Sequence, residues 1–415
     1  MNRFASISER QGELKLPQGL KPILDSPFGA APSSRFACSG RALKGRSSTV
    51  TLRFIVFLVL FCESALVTIA QPASPSDSGF PSCTESLSTV AVPNAPHGLF
   101  AILFPDVKMR AKAEQFLLHK PVVCGANMYL VWNEIDHGDG RYDFSKVEEE
   151  MRPWIKAGKQ VNLISWATGY GGKVQVTPDY VFRQAESVSC QDGEVPVFWE
   201  KGFVENYQKF MTAIIQHFGN NPAVGYIRFG LGLGGETFPA CVWALKSKGF
   251  TPERWKKYLF DMLEYEGTLH SPKQLMVGIN SLPGPMRSND LPDSVARRAV
   301  QNKIGIGSQG LSIEDARADE AGSPCEVDWC HVFREAAGKV PLELQSVKQS
   351  NPDGDGRVGS MVDILPFALK LRTQIFEIYV QDWLVAYDPS DPNYDRHHKE
   401  YQQAFEAAAR VVGAR

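Results

Sequence analysis

Eight short apolar runs, each followed by a stretch with helical spacing, constrain this chain more than any other feature of it. They fall at 97–103 (HGLFAIL), 122–132, 160–165 (QVNLIS), 224–229 (VGYIRF), 275–279 (LMVGI), 303–307, 340–344 (VPLEL) and 375–379 (IFEIY). Runs this short are strand-length rather than helix-length. Between and after them lie helical patterns at 107–119, 146–157, 197–218, 252–269, 293–302, 330–337, 362–372 and 399–412. In the second of these, Val147, Met151, Trp154 and Ile155 fall on one face. Parallel neighbouring strands need crossover connections, which helices supply, so strict alternation predicts an α/β protein with a parallel sheet. Eight such units are the number that closes a (β/α)8 TIM barrel. A doubly wound open sheet is the alternative, but no glycine-rich phosphate loop follows the first run. The sixth run is the weakest of the set. We read 97–415 as a single catalytic-size barrel domain.

The residues before the barrel read differently. The stretch 1–48 is basic and rich in Ser, Pro and Gly, which fits a disordered leader or a segment upstream of the true start. Within 49–70, Arg53 precedes a short apolar core that ends in small residues at Ala70, the pattern of a secretory signal peptide. A Ser/Pro-rich linker, 71–96, follows. Export to the periplasm or the exterior is therefore expected, with a membrane-anchored protein as the alternative if the signal is retained. Export permits disulfides among Cys83, Cys124, Cys190, Cys241, Cys325 and Cys330. Their spacing matches no metal site, and no metal or other cofactor is expected. A formal net charge of −2 gives no reason to expect nucleic acid as a partner. The segment 351–357 (NPDGDGR) starts like a calcium loop, but its twelfth position is Val362, so a polar turn is expected there.

Chemistry in such a barrel belongs at the C-terminal ends of the strands. After the fourth run the chain reads GLGLGGETFP, a glycine-rich turn ending on Glu236 beside Phe238. In the seventh run Glu343 interrupts an apolar strand, where a charge is costly unless paired or functionally placed. A solvated turn glutamate and a buried glutamate paired with arginine are the plain alternatives for these two. Trp166 and Trp383 are candidate sugar-stacking platforms or packed core residues. Trp132, Glu134, Asn280 and Gln309 lie near strand ends and could bind hydroxyls, while Arg228 could pair with a catalytic carboxylate.

The segment VWNEID at 131–136, followed by GDGRYDFS at 138–145, resembles the stretch after strand two in clan A glycoside hydrolases, the β-galactosidase-type families especially. The resemblance implies a (β/α)8 glycosidase with an acid/base glutamate after strand four and a nucleophilic glutamate after strand seven, here Glu236 and Glu343. It departs from the clan in having Gly235 where asparagine is usual, and the GLGLGGE run also resembles the acid-bearing loop of the inverting β-amylases. The expected function is a secreted glycosidase acting on an oligo- or polysaccharide with a Glu/Glu pair, with retention through a glycosyl-enzyme as the favoured course. The alternatives are an inverting β-amylase-like enzyme and a non-catalytic carbohydrate-binding barrel. A metal-dependent barrel hydrolase is disfavoured because the histidines show no ligand spacing.

Overall fold

The structure, a computed structural model, describes residues 96–169, 175–190, 193–288, 290–320 and 329–413. The leader, the signal segment and all but the last residue of the linker lie outside the described residues.

Ten strands run in chain order: β1 (Gly98–Leu103), β2 (Val123–Val131), β3 (Gln160–Trp166), β4 (Ser187–Cys190), β5 (Gly193–Pro196), β6 (Val224–Phe229), β7 (Gln274–Gly278), β8 (Gly305–Leu311), β9 (Leu342–Ser346) and β10 (Ile375–Tyr379). Eight of them close a barrel in the order β1-β10-β9-β8-β7-β6-β3-β2, with every neighbouring pair parallel. The strands are continuous apolar runs because one face fills the barrel and the other packs under the helices, so both are buried. The helices carry local signals for where they begin. Thr251 caps the helix Pro252–Thr268, and Ser360 and Asp363 form a capping box on Met361–Lys370. Among the described residues no helix is long and apolar enough to cross a membrane.

Two strands differ from the sequence reading. The weak sixth run is a full strand, Gly305–Leu311. A Cβ at Gly305 would overlap the Met276 thioether, and one at Gly307 would overlap the Glu343 carboxylate. The strand is poor in apolar bulk because its neighbours' side chains fill its share of the interior. The seventh run pairs two residues later than its apolar pattern implies, over Leu342–Ser346. Val340 bridges to Ala337 instead, and Pro341, which has no N–H to donate, contributes only its carbonyl to Ile306 N at 2.9 Å. Glu343 is therefore the second residue of β9 rather than its end, and it lies inside the barrel.

The long connection 167–196 contains an antiparallel hairpin, β4 and β5, and the Cys190–Cys241 disulfide ties it to the loop after β6. Cys124 and Cys330 are also disulfide-bonded. The segment 351–357 is a polar turn in which Asp353 binds Arg396 and His397.

The lower interior of the barrel is apolar, formed by Phe100, Cys124, Tyr226, Met276 and Ile375. The main core lies between strands and helices, and it takes two tryptophans that the sequence placed at the mouth. Trp132 stacks on Phe210 at 5.6 Å between ring centroids and donates its indole N–H to Asp136 at 2.9 Å. Trp383 packs 4.3 Å from Phe405 and is fully buried. Each follows its strand directly into a helix, which turns the ring outward into the helical layer. Neither offers a face to a sugar. Replacing either by alanine should cost about 3–5 kcal/mol of stability in urea unfolding, the range for a deleted core aromatic; a loss below about 1 kcal/mol would contradict this placement.

Candidate active site

Two residues beyond the apolar floor of β6, Arg228 points into the barrel and is 1% exposed. Its Nη1 donates to Glu343 Oε2 at 2.5 Å and to Glu377 Oε1 at 3.0 Å. The Tyr226 hydroxyl donates to the same oxygen of Glu377. No other Lys, Arg or His occurs in the eight barrel strands, so two buried carboxyls share one cation. Burial and the neighbouring Glu377 push Glu343 well above the usual carboxylate range, against the pull of Arg228. The attraction of Glu377 and Glu343 outweighs burial at Arg228 and holds the guanidinium firmly charged.

The glutamate after β6 is reached through a tight loop. Gly232 N donates to Glu236 O at 2.8 Å, Leu233 N to Phe238 O at 2.7 Å, and Gly234 N to Thr168 O at 3.0 Å. Gly234 has φ +61°, a conformation that favours glycine. A Cβ on Gly235 would sit 2.5 Å from Ile164 Cγ2 and 3.3 Å from Arg228 Nη2. An asparagine cannot be accommodated there without displacing the barrel wall, which gives a steric reason for the departure from clan A.

Asn280, just past β7, donates from Nδ2 to Glu236 Oε2 at 2.7 Å. Thr237 fixes which way that amide faces: its N–H donates to Asn280 Oδ1 at 3.1 Å, and its hydroxyl accepts from Asn280 N at 3.1 Å. Glu236 is 7% exposed. Burial pushes its carboxyl up to about 7, although Arg228 and the Asn280 amide both pull it down. Glu236 thus lies within the electrostatic reach of the guanidinium that Glu343 meets directly at Nη1.

Gln309 on β8 sits beside them. A Cβ on Gly278 would lie 3.2 Å from Gln309 Oε1 and 3.4 Å from Glu236 Cα. Among the described residues, Glu343 Oε1, Glu377 Oε2, Gln345 Oε1 and both ends of the Gln309 amide are buried without a protein hydrogen-bond partner. Such a concentration of unmatched polar atoms belongs where a polar solute or solvent is met. Facing it across the C-terminal ends of β3, β2, β1 and β10 runs an aromatic arc. Trp166 lies 4.6 Å from Tyr129, Tyr129 lies 5.1 Å from Phe104, and Phe104 lies 5.8 Å from Tyr379. The Tyr379 hydroxyl accepts from Gln345 Nε2 at 2.9 Å.

Of the sequence candidates, the fold thus brings together Glu236, Glu343, Arg228, Asn280, Gln309 and Trp166. Trp132 and Trp383 stay in the core, and Glu134 pairs with the exposed Lys146 at 2.6 Å. Glu377, Tyr226 and Gln345 went unremarked in the sequence, although Glu377 is as isolated in IFEIY as Glu343 is in VPLEL. Among the described residues no three His, Cys, Asp or Glu side chains are grouped to hold a metal.

No protein-family model matches the chain, and comparison with curated proteins finds no similar sequence. Solved structures with a similar course of chain include the catalytic domain of β-amylase from Paenibacillus polymyxa, at 11% identity and a TM-score of 0.48, covering 76% of this chain and 99% of that one. An endo-β-1,4-xylanase from Gloeophyllum trabeum aligns at 12% identity and a TM-score of 0.46, covering 77% and 97%. A β-galactosidase from the psychrophilic Marinomonas ef1 aligns at 9% identity and a TM-score of 0.45, covering 75% of this chain and 59% of its own.

Arg228→Met should cost about 3–5 kcal/mol at neutral pH, because it strands two carboxyls in a dry interior. The same change on a background of Glu343→Gln and Glu377→Gln should cost much less. Equal losses in urea unfolding of the two backgrounds would refute the shared-cation description.

Proposed function

We propose that the chain is a glycoside hydrolase that cleaves O-glycosidic bonds in an oligo- or polysaccharide, with Glu236 as general acid/base and Glu343 as nucleophile. The observation that carries this reading is the pairing of a buried carboxyl poised at about 7 with a second carboxyl gripped by arginine through one oxygen only. Glycoside cleavage needs two carboxyls in different protonation states. Glu236 near 7 retains enough proton at neutral pH to deliver it to the leaving oxygen, and afterwards takes one from water. Glu343 reacts as the carboxylate, the form that Arg228 favours against burial, and being held at Oε2 it keeps Oε1 to attack the anomeric carbon and form a glycosyl ester. We take the course to be retaining, as direct attack by a carboxylate entails. Asn280 orients the acid, Gln309 offers both a donor and an acceptor to sugar hydroxyls, and the arc from Trp166 to Tyr379 supplies apolar surface for sugar C–H faces. The secretory pattern in 49–70 supports action outside the cell on a glycan encountered there.

The acid must be protonated to work, so kcat/KM should fall as pH rises through about 7. On a panel of chromogenic glycosides, Glu236→Gln and Glu343→Gln should each reduce kcat/KM by about 10²–10⁴-fold. Undiminished activity in both variants would end this assignment.

A further inference from the structure

We propose that Gln345 is a specificity-determining residue of this site: its side-chain carbonyl accepts a hydrogen bond from one sugar hydroxyl, and so selects glycosides in which that hydroxyl is unsubstituted. The inference rests on the reading of the site as a glycosidase with Glu343 as nucleophile. It starts from strand geometry. Side chains two residues apart on a strand share a face, and in a barrel they stack in layers toward the mouth. On β6, Tyr226 lies in the apolar floor and Arg228 one layer above it. On β10, Ile375 lies in the floor, with Glu377 and then Tyr379 above it. β9 pairs with β10 so that Gln345 lies beside Glu377.

Gln345 therefore points into the interior with Glu343, two residues nearer the mouth, and it is 5% exposed. Its Nε2 donates to the Tyr379 hydroxyl at 2.9 Å, which fixes the amide and leaves Oε1 as its open end. Among the described residues Oε1 is buried without a protein hydrogen-bond partner. The donors nearer the floor are turned elsewhere: Arg228 Nη1 to Glu343 and Glu377, and the Tyr226 hydroxyl to Glu377. A buried amide carbonyl left unmatched costs free energy, which a donor on a bound ligand recovers.

An amide oxygen only accepts, so its complement is a donor. A free sugar hydroxyl supplies one. The ether oxygen of an O-alkylated sugar, the bare carbon of a deoxy sugar and an ionised carboxylate do not. The Tyr379 ring that anchors the amide also stacks on Phe104 at 5.8 Å, so Gln345 stands where the polar side of the site meets the aromatic arc. A ring lying with its C–H face on the arc presents its hydroxyl edge there. The substrate class is a glycoside with an unsubstituted hydroxyl at that position. A site built to hydrogen-bond a hydroxyl rejects the analogue lacking it more strongly than an apolar pocket rejects a missing methylene.

The test measures kcat/KM on a p-nitrophenyl glycoside that the wild-type chain hydrolyses and on its monodeoxy analogues, one for each sugar hydroxyl. Wild type, Gln345→Met and Tyr379→Phe are compared. Methionine keeps the length of the side chain and removes the acceptor, so Gln345→Met should lose about 10–100-fold on the parent glycoside. In the wild type one deoxy analogue should lose a similar factor relative to the parent. In Gln345→Met that same analogue should lose less than about threefold, with the penalties for the other analogues unchanged. Loss of packing alone would not single out one hydroxyl. Tyr379→Phe releases the amide and keeps the ring, and should reduce the penalty at the same hydroxyl by a smaller factor. That variant keeps the test open if Gln345→Met does not fold. Penalties that are equal in the wild type and the variants for every analogue overturn the role of Gln345 and leave the glycosidase reading in place. A wild type inactive on every glycoside of the panel, or undiminished activity in Glu343→Gln, overturns that reading and the inference with it.

Discussion

One guanidinium organises the interior of this barrel. Arg228 is the only basic side chain on the eight strands, and it is fully desolvated. A lone buried arginine is tolerable only with counter-charge at hydrogen-bond distance, and Glu343 and Glu377 provide it. The same contact that meets this electrostatic demand also clamps Glu343 by one oxygen and sets the strip along which Gly235 and Glu236 approach. The polarity of the site is thus a consequence of a charge placed near the middle of a barrel, with Glu343 and Glu377 arranged around it.

Space for that charge comes from glycine. Gly307 makes room for the Glu343 carboxylate, Gly278 for Gln309 and the backbone at Glu236, and Gly235 for the guanidinium. At Gly307 and Gly278 the absent Cβ lies toward polar groups, and at Gly235 toward Ile164 first and then the guanidinium. The barrel wall is thinned on β6, β7 and β8, and the opposite wall, β10 through β3, carries the bulk in Tyr379, Phe104, Tyr129 and Trp166. The interior is consequently divided into a charged half and an aromatic half. A sugar, with hydroxyl edges and C–H faces, is a molecule suited to such a division.

The barrel itself was legible from the alternation of eight apolar runs with helical stretches, because each parallel strand buries both faces. Glu236 could be read from its glycine turn, and Glu343 from its isolation in an apolar strand. The depth of Glu343 could not, since the two-residue shift of β9 depends on Pro341 serving only as an acceptor for its neighbour. Glu377 carried the same signal as Glu343 and was passed over because no catalytic pattern drew attention to strand eight. Trp132 directly follows its strand and Trp383 sits one turn past its own, where a small rotation decides between mouth and core; their indoles face Phe210 and Phe405, contacts distant in sequence. Asn280 was legible only as a hydroxyl-binding candidate; its contact with Glu236 depends on two loops, after β6 and after β7, meeting through Thr237.

The account predicts a particular stereochemical course. With Glu343 proposed as the nucleophile, the oxygen not held by Arg228 is the one that bonds carbon. Following the anomeric proton of the first-formed product by NMR, with a glycoside of known configuration, tests this most directly. Release of a product with the configuration of the substrate is the predicted result; release of the opposite anomer would contradict the assignment of Glu343 as nucleophile.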